Sequence, residues 1–277
     1  MKFAKAHGLG NDFILVPQDQ AGEEASAWAR RLCDRHVGIG GDGVLLYGVE
    51  GEAVHMRLLN ADGSDGEVSG NGVRCLAAYV VHRGWAPERH VVLTPPGPRP
   101  VEVTAVGPAR FRVLTDLGQP RFGSEDIPVA LSPPVERVID HPLSAPTGTV
   151  LVTATSLGNP HCAVFLEAPP EDHTLGAIGA ALERHPLFPR RTNVEFVTVA
   201  GLHQLRVRFW ERGVGYTRAS GTGAASAAVA AIIKGLAQSP VRVVCDGGAL
   251  EVEWPGPGHH VRQTGEVELL FEGDWLQ

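Results

Sequence analysis

The chain has few cysteines and no long apolar run, and each shortage excludes a class of protein. Its four cysteines, Cys33, Cys75, Cys162 and Cys245, are widely spaced and form no CxxC pair. That spacing argues against a zinc site or a disulfide framework, so we expect buried thiols. No stretch of about 18 uncharged apolar residues occurs, so we expect no membrane span. No apolar signal segment follows the basic start at Met1, which predicts a cytoplasmic location.

Positive charge is also scarce. Lys and Arg total 24 against 31 Asp and Glu, which gives a net charge of -7. The basic residues form no block interleaved with aromatic residues, so we expect no nucleic-acid partner. A hydrophobic content of 43% and a charged content of 20% indicate a globular chain and not a disordered one. The length of 277 residues is enough for two domains, each with its own core.

Asparagine is rare, and its positions are informative. The five asparagines lie in Gly-rich or polar segments that we predict to be loops: Asn11, Asn60, Asn71, Asn159 and Asn193. Turn chemistry explains any one of them, because asparagine tolerates left-handed backbone angles. It explains the five together less well, because glycine already stands beside three of them. We therefore expect these amides to bind a ligand.

One short sequence motif occurs twice. Ser69-Gly70-Asn71-Gly72 and Ser220-Gly221-Thr222-Gly223 each run into small and apolar residues suited to a buried helix. Helix starts leave backbone N–H groups unpaired and carry partial positive charge. Two such starts, one in each half of the chain, predict an anion site and a substrate flanked from opposite sides.

The second half of the chain repeats the plan of the first. Hydrophobic periodicity predicts helices over 23–33, from Gly72 to about Arg83, over 174–184, and from Gly223 to about Lys234. The last of these is apolar all round, so it should be enclosed. Strands surround each helix pair, and a Pro-rich stretch over 128–146 resembles a connector. We predict a mixed α/β fold in which a curled sheet wraps a central apolar helix twice. The predicted lobes are 1–118 completed by 266–277, and 119–265.

Two further segments carry groups able to do chemistry. His161, in Gly158-Asn159-Pro160-His161, has the ring needed for general acid–base work near neutral pH, or is a histidine that caps a turn. Glu211 and Arg212 are either a catalytic pair or solvated charge at a strand end. The glycine loop over 38–43 lacks the lysine and the helix of a P-loop, so we do not assign phosphate binding to it.

Taken together, these segments resemble the diaminopimelate epimerase family. The resemblance covers nearly the whole chain and keeps six motifs in order: residues 7–13 (HGLGNDF), 60–64 (NADGS), 70–75 (GNGVRC), 158–161 (GNPH), 191–193 (RTN) and 211–215 (ERGVG). It implies two pseudo-symmetric lobes, a homodimer, a small amino-acid substrate, and no cofactor or metal. In that family a thiolate removes the α-proton of an amino acid and a thiol on the opposite face returns one.

The resemblance also implies which residues contact the substrate. They are Asn11, Asn60, Gly70, Asn71, Asn159, Asn193, Glu211, Arg212, Gly221 and Thr222. All five asparagines are among them, and an amide offers both donors and an acceptor to an amino acid. Backbone N–H groups over 70–72 and 221–223 would hold the α-carboxylate and stabilise the developing carbanion. Arg212 would take a carboxylate bidentately.

The chain departs from the family at its two catalytic positions. Ser69 and Ser220 stand where the resemblance expects the two catalytic cysteines, with His161 and Glu211 as supporting groups. A free thiol has a pKa of about 8.5, whereas a serine hydroxyl is closer to water, at about 15.7. The difference of roughly seven units disfavours an oxygen base by about 9–10 kcal/mol. A proton acceptor other than a free serine alkoxide is therefore needed for useful turnover.

Three functions stay open at this point. The first is an amino-acid epimerase of the diaminopimelate type that turns over slowly or not at all. The second is a related proton-shuffling isomerase or lyase in which Glu211 or His161 is the single base, as in the architecturally similar phenazine-biosynthesis and proline racemase groups. The third is a catalytically silent binding protein that keeps the amino-acid pocket. A deliberate replacement of both cysteines by serine would give the same sequence.

Overall fold

A computed structural model describes residues 1–22, 24–51, 53–66 and 69–276 of the chain. These residues form two compact units. Unit 1 comprises Met1–Asp116 and Thr264–Gln277, and unit 2 comprises Leu117–Gln263. The boundaries predicted from the sequence lie two residues further along the chain at both junctions.

Unit 1 is a sheet that closes around one helix. Its elements, in chain order, are β1 (Lys2–Gly8), β2 (Asn11–Pro17), a 3-10 turn (Gln18–Gln20), α1 (Ala25–Cys33), β3 (Gly43–Glu50), β4 (Ala53–Asn60), α2 (Gly70–His82), β5 (Arg89–Thr94), β6 (Gly97–Ala105), β7 (Arg110–Asp116) and the larger part of β16 (Arg262–Asp274). The strands follow one another in that order, and β16 pairs with both β7 and β1. This pairing closes the sheet into a barrel, which leaves no free strand edge.

Helix α2 forms the core of the barrel. It contacts six of the strands, β1 to β4, β6 and β7. Its residues 71–80 are all buried, and Val73, Leu76 and Val80 pack with strand residues such as Leu15 and Val113. Helix α1 lies on the other face of the sheet against β3 and β4, where Leu32 meets Val44 and Leu46 in a second apolar cluster.

Unit 2 builds the same kind of layer around a second helix. Its elements are β8 (His141–Ala145), β9 (Gly148–Ser156), β10 (Pro160–Phe165), α3 (Asp172–Glu183), β11 (Asn193–Gly201), β12 (Gln204–Glu211), β13 (Gly215–Thr217), α4 (Gly221–Ile233), β14 (Val241–Cys245) and β15 (Gly248–Glu253). The sheet order is β15-β14-β12-β11-β10-β9-β8, with β13 paired to β12.

Helix α4 is enclosed, as its apolar sequence predicts. Its residues 223–231 are buried, and it contacts β9 to β12, β14 and β15. A run of alanines lets the strands approach the helix closely on every side. Helix α3 packs on the opposite face of the same sheet, against β8, β11, β12 and β13.

The two units repeat one pairing pattern. In unit 1 the pairs β1–β2, β3–β4 and β5–β6 are antiparallel, while β2–β3 and β4–β5 are parallel and are joined through α1 and α2. Unit 2 has the same sequence of pairings over β9, β10, α3, β11, β12, α4, β14 and β15. Registers fix the equivalent positions: Phe13 pairs with Gly43 as His161 pairs with Asn193. Leu45 of β3 therefore corresponds to Glu195 of β11.

The structure corrects several local predictions. The Pro-rich stretch over 128–146 is not a connector, because it lies inside unit 2 and contains the whole of β8. Strand β8 tolerates Pro142 because it is the edge strand of its sheet, where a missing N–H costs no ladder bond. The first predicted helix begins at Ala25, and the predicted start at Glu23 lies outside the described residues. Four cysteines are free and buried, as expected. None of the helices in the described ranges has the length and apolar character needed to span a bilayer.

The asparagines also differ from prediction, because four of the five lie in regular elements. Asn11 and Asn193 begin strands β2 and β11, Asn60 ends β4, and Asn71 lies in the first turn of α2. Asn159 occupies the turn before β10, after Gly158 with its positive φ of 102°. The sequence made these segments look like loops because glycines adjoin them, yet the amides lie at the ends of strands and helices, where side chains converge.

Candidate functional site

The N-terminus of α2 is the first candidate site, and it is built from the Ser69-Gly70-Asn71-Gly72 turn. Ser69 is the N-cap: its backbone is extended and its hydroxyl accepts a hydrogen bond from the Gly72 backbone N–H at 3.1 Å. The glycine turn is therefore the first turn of the helix and not a separate loop, which corrects the predicted start after Gly72. A Cβ at Gly72 would lie 3.1 Å from Leu45, so glycine lets this turn approach β3.

A chain of side-chain hydrogen bonds runs from the N-terminal end of α2 to the neighbouring segments. Arg74 donates to Asn71 Oδ1, Asn71 Nδ2 donates to Asn11 Oδ1 at 3.1 Å, and Asn11 Nδ2 donates to Asp42 Oδ2 at 2.7 Å. Each amide accepts a hydrogen bond through its oxygen and donates one through its nitrogen, so all the donors point from Arg74 on the helix toward the Asp42 carboxylate. This chain brings together two of the residues named from the sequence, Asn11 and Asn71, and Ser69 caps the helix turn that carries Asn71.

A cluster of charges supports this chain from behind. Arg35 donates to both Asp12 and Asp42, and the Lys5 ammonium lies 2.6 Å from Asp12 and donates to the Gly40 carbonyl. Burial alone would raise the pKa of Asp12, but hydrogen bonds from Arg35 and Lys5 outweigh it and bring the pKa to about 2. This cluster was not predictable from local sequence patterns, because its members lie on separate segments of the chain.

Asn60 lies at the end of β4, in its own turn. Its side-chain amide donates to the Ser64 hydroxyl at 2.9 Å, and its backbone N–H donates to the Ser64 carbonyl. Asp62 accepts from the Ser64 backbone and hydroxyl, which closes the turn. Among the described residues no hydrogen bond joins Asn60 to the Asn11–Asn71 chain, although its strand register with Gly43 brings it to the same end of the sheet.

The N-terminus of α4 is the second candidate site. Ser220 is the N-cap and accepts from the Gly223 backbone N–H at 3.2 Å, in the same way as Ser69 in unit 1. Ser220 is buried, at 5% exposure. A Cβ at Gly223 would lie 3.1 Å from Glu195 Oε1, so only glycine lets the first helical turn approach that carboxylate without displacement.

Glu211 ends strand β12 next to this helix start. Burial raises the pKa of its carboxyl, and a hydrogen bond from Ser220 and the charge of His161 oppose the rise in part. A carboxylate with a raised pKa is a stronger base than an exposed one. The carboxylate and the Ser220 hydroxyl thus form a base and a proton-carrying group in contact.

His161 is enclosed, with both ring nitrogens in hydrogen bonds. Nδ1 lies 2.7 Å from Glu195 Oε1, and Nε2 lies 2.9 Å from Asn159 Oδ1. Both side chains of the His161–Glu195 pair are 1% exposed. Asn159 Nδ2 in turn donates to the Thr222 hydroxyl at 3.4 Å, in the first turn of α4. Burial raises the pKa of Glu195, against the opposing effects of His161 and the Cys162 backbone N–H.

Arg212 lies in the turn after β12, and Asn193, at the start of β11, holds that turn. Asn193 Oδ1 accepts from the Arg212 backbone N–H at 2.9 Å, and Asn193 Nδ2 donates to the Pro160 carbonyl. The buried carboxylate of Glu183 accepts from Trp210 Nε1 and from the Gly213 backbone N–H, where φ is 78°. The turn that carries Arg212 is thereby fixed from two sides.

Glu195 and Glu183 were not predicted from the sequence. One signal was available for Glu195, which is the lone charged residue inside the apolar strand run Val194-Glu195-Phe196-Val197. Burial of a charged residue in a strand points to a specific partner. Within the described residues, no group of three or more His, Cys, Asp or Glu side chains is arranged to hold a metal ion.

Comparisons with known proteins agree on one family. The family model for diaminopimelate epimerase matches residues 3–123 and 153–270. A diaminopimelate epimerase of Synechocystis sp. is 41% identical over 278 residues, covering 99% of this chain and 98% of the relative. One from Desulforudis audaxviator is 42% identical over 281 residues and covers 100% of both chains.

Solved structures share the fold at low sequence identity. A predicted epimerase from Pseudomonas aeruginosa superposes with a TM-score of 0.70 at 18% identity, covering 100% of this chain and 99% of the other. A probable proline racemase from Agrobacterium radiobacter superposes with a TM-score of 0.69 at 15% identity, covering 100% and 93%. At these identities the likeness concerns the fold alone.

Proposed function

The chain belongs to the diaminopimelate epimerase family, and we propose that it inverts the α-carbon of LL-diaminopimelate to give the meso isomer, a step of lysine biosynthesis. The observation that carries the proposal is the repeated helix start. Each unit has a Ser-capped N-terminus with an amide donor or acceptor from a neighbouring segment: Asn11 at the start of β2 in unit 1, and Asn159 in the turn before β10 in unit 2.

Substrate binding follows from the donors at these helix starts. Backbone N–H groups at a helix N-terminus attract carboxylates, and the helix dipole adds to the attraction. We assign the substrate contacts to the amides of Asn11, Asn60, Asn71, Asn159 and Asn193, to Gly70, Gly221 and Thr222, and to the guanidinium of Arg212. Arg212 is half-buried on a turn held by Asn193 and Glu183, which suits it to hold a distal carboxylate.

We assign proton exchange at Cα to Ser69 and Ser220. Ser220 has a carboxylate nearby, because Glu211 interacts with it and has a pKa raised by burial. Glu211 is therefore the acceptor that an oxygen-based site requires: it takes the Ser220 proton as Ser220 takes the α-proton. Ser69 is assigned the return of a proton, after which Ser69 regains a proton from solvent water and Glu211 releases one to it. Turnover is expected to be slow, because oxygen replaces sulfur at both positions.

One NMR experiment tests the proposal. LL-diaminopimelate is incubated with the protein in D2O, and the α-proton signals are followed. Loss of the LL α-proton signal with appearance of meso product supports epimerisation. Exchange without inversion supports proton transfer from one side only. Binding in a calorimeter without any loss of the α-proton signal contradicts catalysis.

A second function, a single-base proton-transfer isomerase, is favoured by one observation. Within the described residues, only the Ser220 side has a carboxylate whose pKa responds to the cap hydroxyl. A single-base enzyme is expected to keep its exchange rate in Ser69→Ala, whereas an epimerase loses inversion in that variant. The D2O experiment on Ser69→Ala separates the two.

The homodimer and the cytoplasmic location are part of the same proposal, and both rest on the family resemblance. Sedimentation velocity over a tenfold concentration range tests the dimer, since a monomeric mass throughout contradicts it.

A further inference from the structure

A comparison of equivalent positions in the two units singles out the His161–Glu195 pair. The equivalent positions in unit 1 are Phe13 and Leu45, which are buried at 3% and 0% exposure in the core around α2. The fold thus fills these strand positions with an apolar pair in one unit and with an ionisable pair in the other. Because burying two ionisable groups costs solvation that an apolar pair does not, the fold itself gives no reason for Glu195.

The hydrogen bonds show what the pair does. Asn159 Oδ1 can only accept, so the His161 Nε2 that contacts it must carry a proton. Nδ1 then has two options: it accepts a hydrogen bond from a protonated Glu195, or it donates one to an ionised Glu195. The ring is held in the same orientation in both cases. Glu195 Oε2 is buried and has no hydrogen-bond partner within the described residues. Oε1 therefore makes the side-chain contact that fixes the ring.

The direction of donation continues to the start of α4. With its oxygen satisfied by His161, Asn159 turns its NH2 group toward Thr222 and donates to the hydroxyl. The Thr222 hydroxyl, having accepted, has its own proton to give. We propose that Glu195 is a positioning residue which, through His161, sets the donor direction of the Asn159–Thr222 pair, so that the N-terminus of α4 offers O–H and N–H donors to a substrate carboxylate.

This inference rests on the proposed function for the identity of the ligand. The orientation of Asn159 and Thr222 by Glu195 does not depend on that function. The charged groups around Glu195 are His161 on β10 and Glu211 on β12, and α4 contributes the Ser220 hydroxyl and Gly223. Each of these faces the same helix start. A change at residue 195 is therefore expected to act on ligand binding before it acts on chemistry.

The scarcity of asparagine supplies a direct readout. Labelling with 15N-asparagine gives side-chain NH2 signals from five residues, and the Asn159 signal is identified by its loss in Asn159→Ala. Within the described residues no hydrogen bond joins Glu195 directly to Asn159, and His161 is bonded to both, so a shift of that signal in a residue-195 variant reports on transmission through His161. Glu183→Gln, another buried glutamate of unit 2, is the matched control and should leave the signal unmoved.

Two variants separate positioning from other roles. Glu195→Gln keeps a donor for Nδ1, so we expect an unmoved Asn159 signal and a dissociation constant for LL-diaminopimelate within about threefold of wild type. Glu195→Leu removes the contact, so we expect a shifted Asn159 signal and a dissociation constant raised about tenfold, with a smaller change in exchange rate at saturation. An unmoved signal and unchanged binding in Glu195→Leu overturn the proposal. Lost exchange at saturation with normal binding in Glu195→Gln also overturns it, because Glu195 would then carry the proton.

A third variant covers failure of Glu195→Leu to fold. His161→Phe with Glu195→Leu recreates the Phe13–Leu45 pair of unit 1, and apolar replacement of a buried ion pair often preserves stability. Weakened binding by the folded double variant supports the proposal, and wild-type binding contradicts it. If wild-type protein neither binds nor exchanges LL-diaminopimelate, the proposed function fails, while the Asn159 signal still decides the role of Glu195.

Discussion

The N-termini of α2 and α4 have the same backbone arrangement, but the hydrogen bonds beside them point in opposite directions from donor to acceptor. In unit 1 the donors run from helix to strand, from Arg74 through Asn71 and Asn11 to Asp42. In unit 2 they run from strand to helix, from His161 through Asn159 to Thr222. The direction is set at the ends of each chain, by the Arg74 guanidinium and the Asp42 carboxylate in unit 1 and by a buried His–Glu pair in unit 2. A duplicated fold thus carries two chemically different sites.

The two N-cap serines, Ser69 and Ser220, also differ in their surroundings. Both serines accept from the third residue of their helix, but only Ser220 has a carboxylate partner among the described residues. Unit 2 therefore has its own proton acceptor, and unit 1 has fixed dipoles and charges. The proposed division of labour, with removal of a proton at Ser220 and return at Ser69, follows from this difference.

The largest expected effect comes from restoring sulfur at both caps. Ser69→Cys with Ser220→Cys should raise the rate of deuterium incorporation at Cα by about 10²-fold or more, because a thiol ionises far more readily than a hydroxyl. The single variants should differ, with the larger gain for Ser69→Cys, since Ser220 already has Glu211. A double variant as slow as wild type would show that the substrate assignment is at fault and not the base.

Removing the unit 2 carboxylate should have the next largest effect. Glu211→Gln should lower the exchange rate by about 10²-fold, within the range for loss of a general base. Asn60 ends β4 as Glu211 ends β12, so Asn60→Ala is the matched variant in unit 1. It should weaken binding more than it slows exchange at saturation. Equal rate losses in both variants would contradict the assignment of the base to unit 2.

The sequence predicts the repeat well, because its signals are local. Two Ser-Gly-polar-Gly turns followed by apolar runs define the capped helices, and the alanine-rich run from Ala224 predicts an enclosed helix. The edge strand β8 was missed because its prolines suggested a connector. Proline restricts a strand only where a ladder N–H is needed, and the sequence does not say which strand lies at the edge.

The chemistry of the sites is less predictable, because it depends on contacts between distant residues. Glu195 meets His161 across 34 positions of sequence, and Asn71 meets Asn11 across 60. The amide residues were identified from their rarity and from the family resemblance, but the direction in which each amide donates depends on those partners. Sequence alone therefore predicts candidate amide residues, but not the direction in which each amide donates its hydrogen bond.

The two hydrogen-bond chains should also differ in strength. Asn71→Ala removes a buried acceptor of Arg74 and a donor to Asn11, so it should lower the free energy of unfolding by about 2–3 kcal/mol. Thr222→Ala removes a 3.4 Å hydrogen bond at the equivalent position and should cost less than about 1 kcal/mol. Urea unfolding of the two variants measures the difference, and equal losses would mean that the chains are equally coupled to the fold.

The smallest expected effect is a contrast in pH dependence. Asp12 has a folded pKa of about 2, below the ordinary 3.8, so its ionisation stabilises the fold above that ordinary value and the contribution is lost as the pH falls toward 2. Asp12→Asn should therefore lower the free energy of unfolding by about 2 kcal/mol at pH 7 and by less in acid. Glu211 has a raised pKa, so its protonated form favours folding, and stability is lost as the pH rises above 4.5. Glu211→Gln should accordingly be more stable than wild type at pH 8, with the gap closing near pH 4. Urea titrations across pH measure both slopes, and slopes of the same sign would contradict the contrast between a cluster built to stay ionised and a carboxylate held ready to accept a proton.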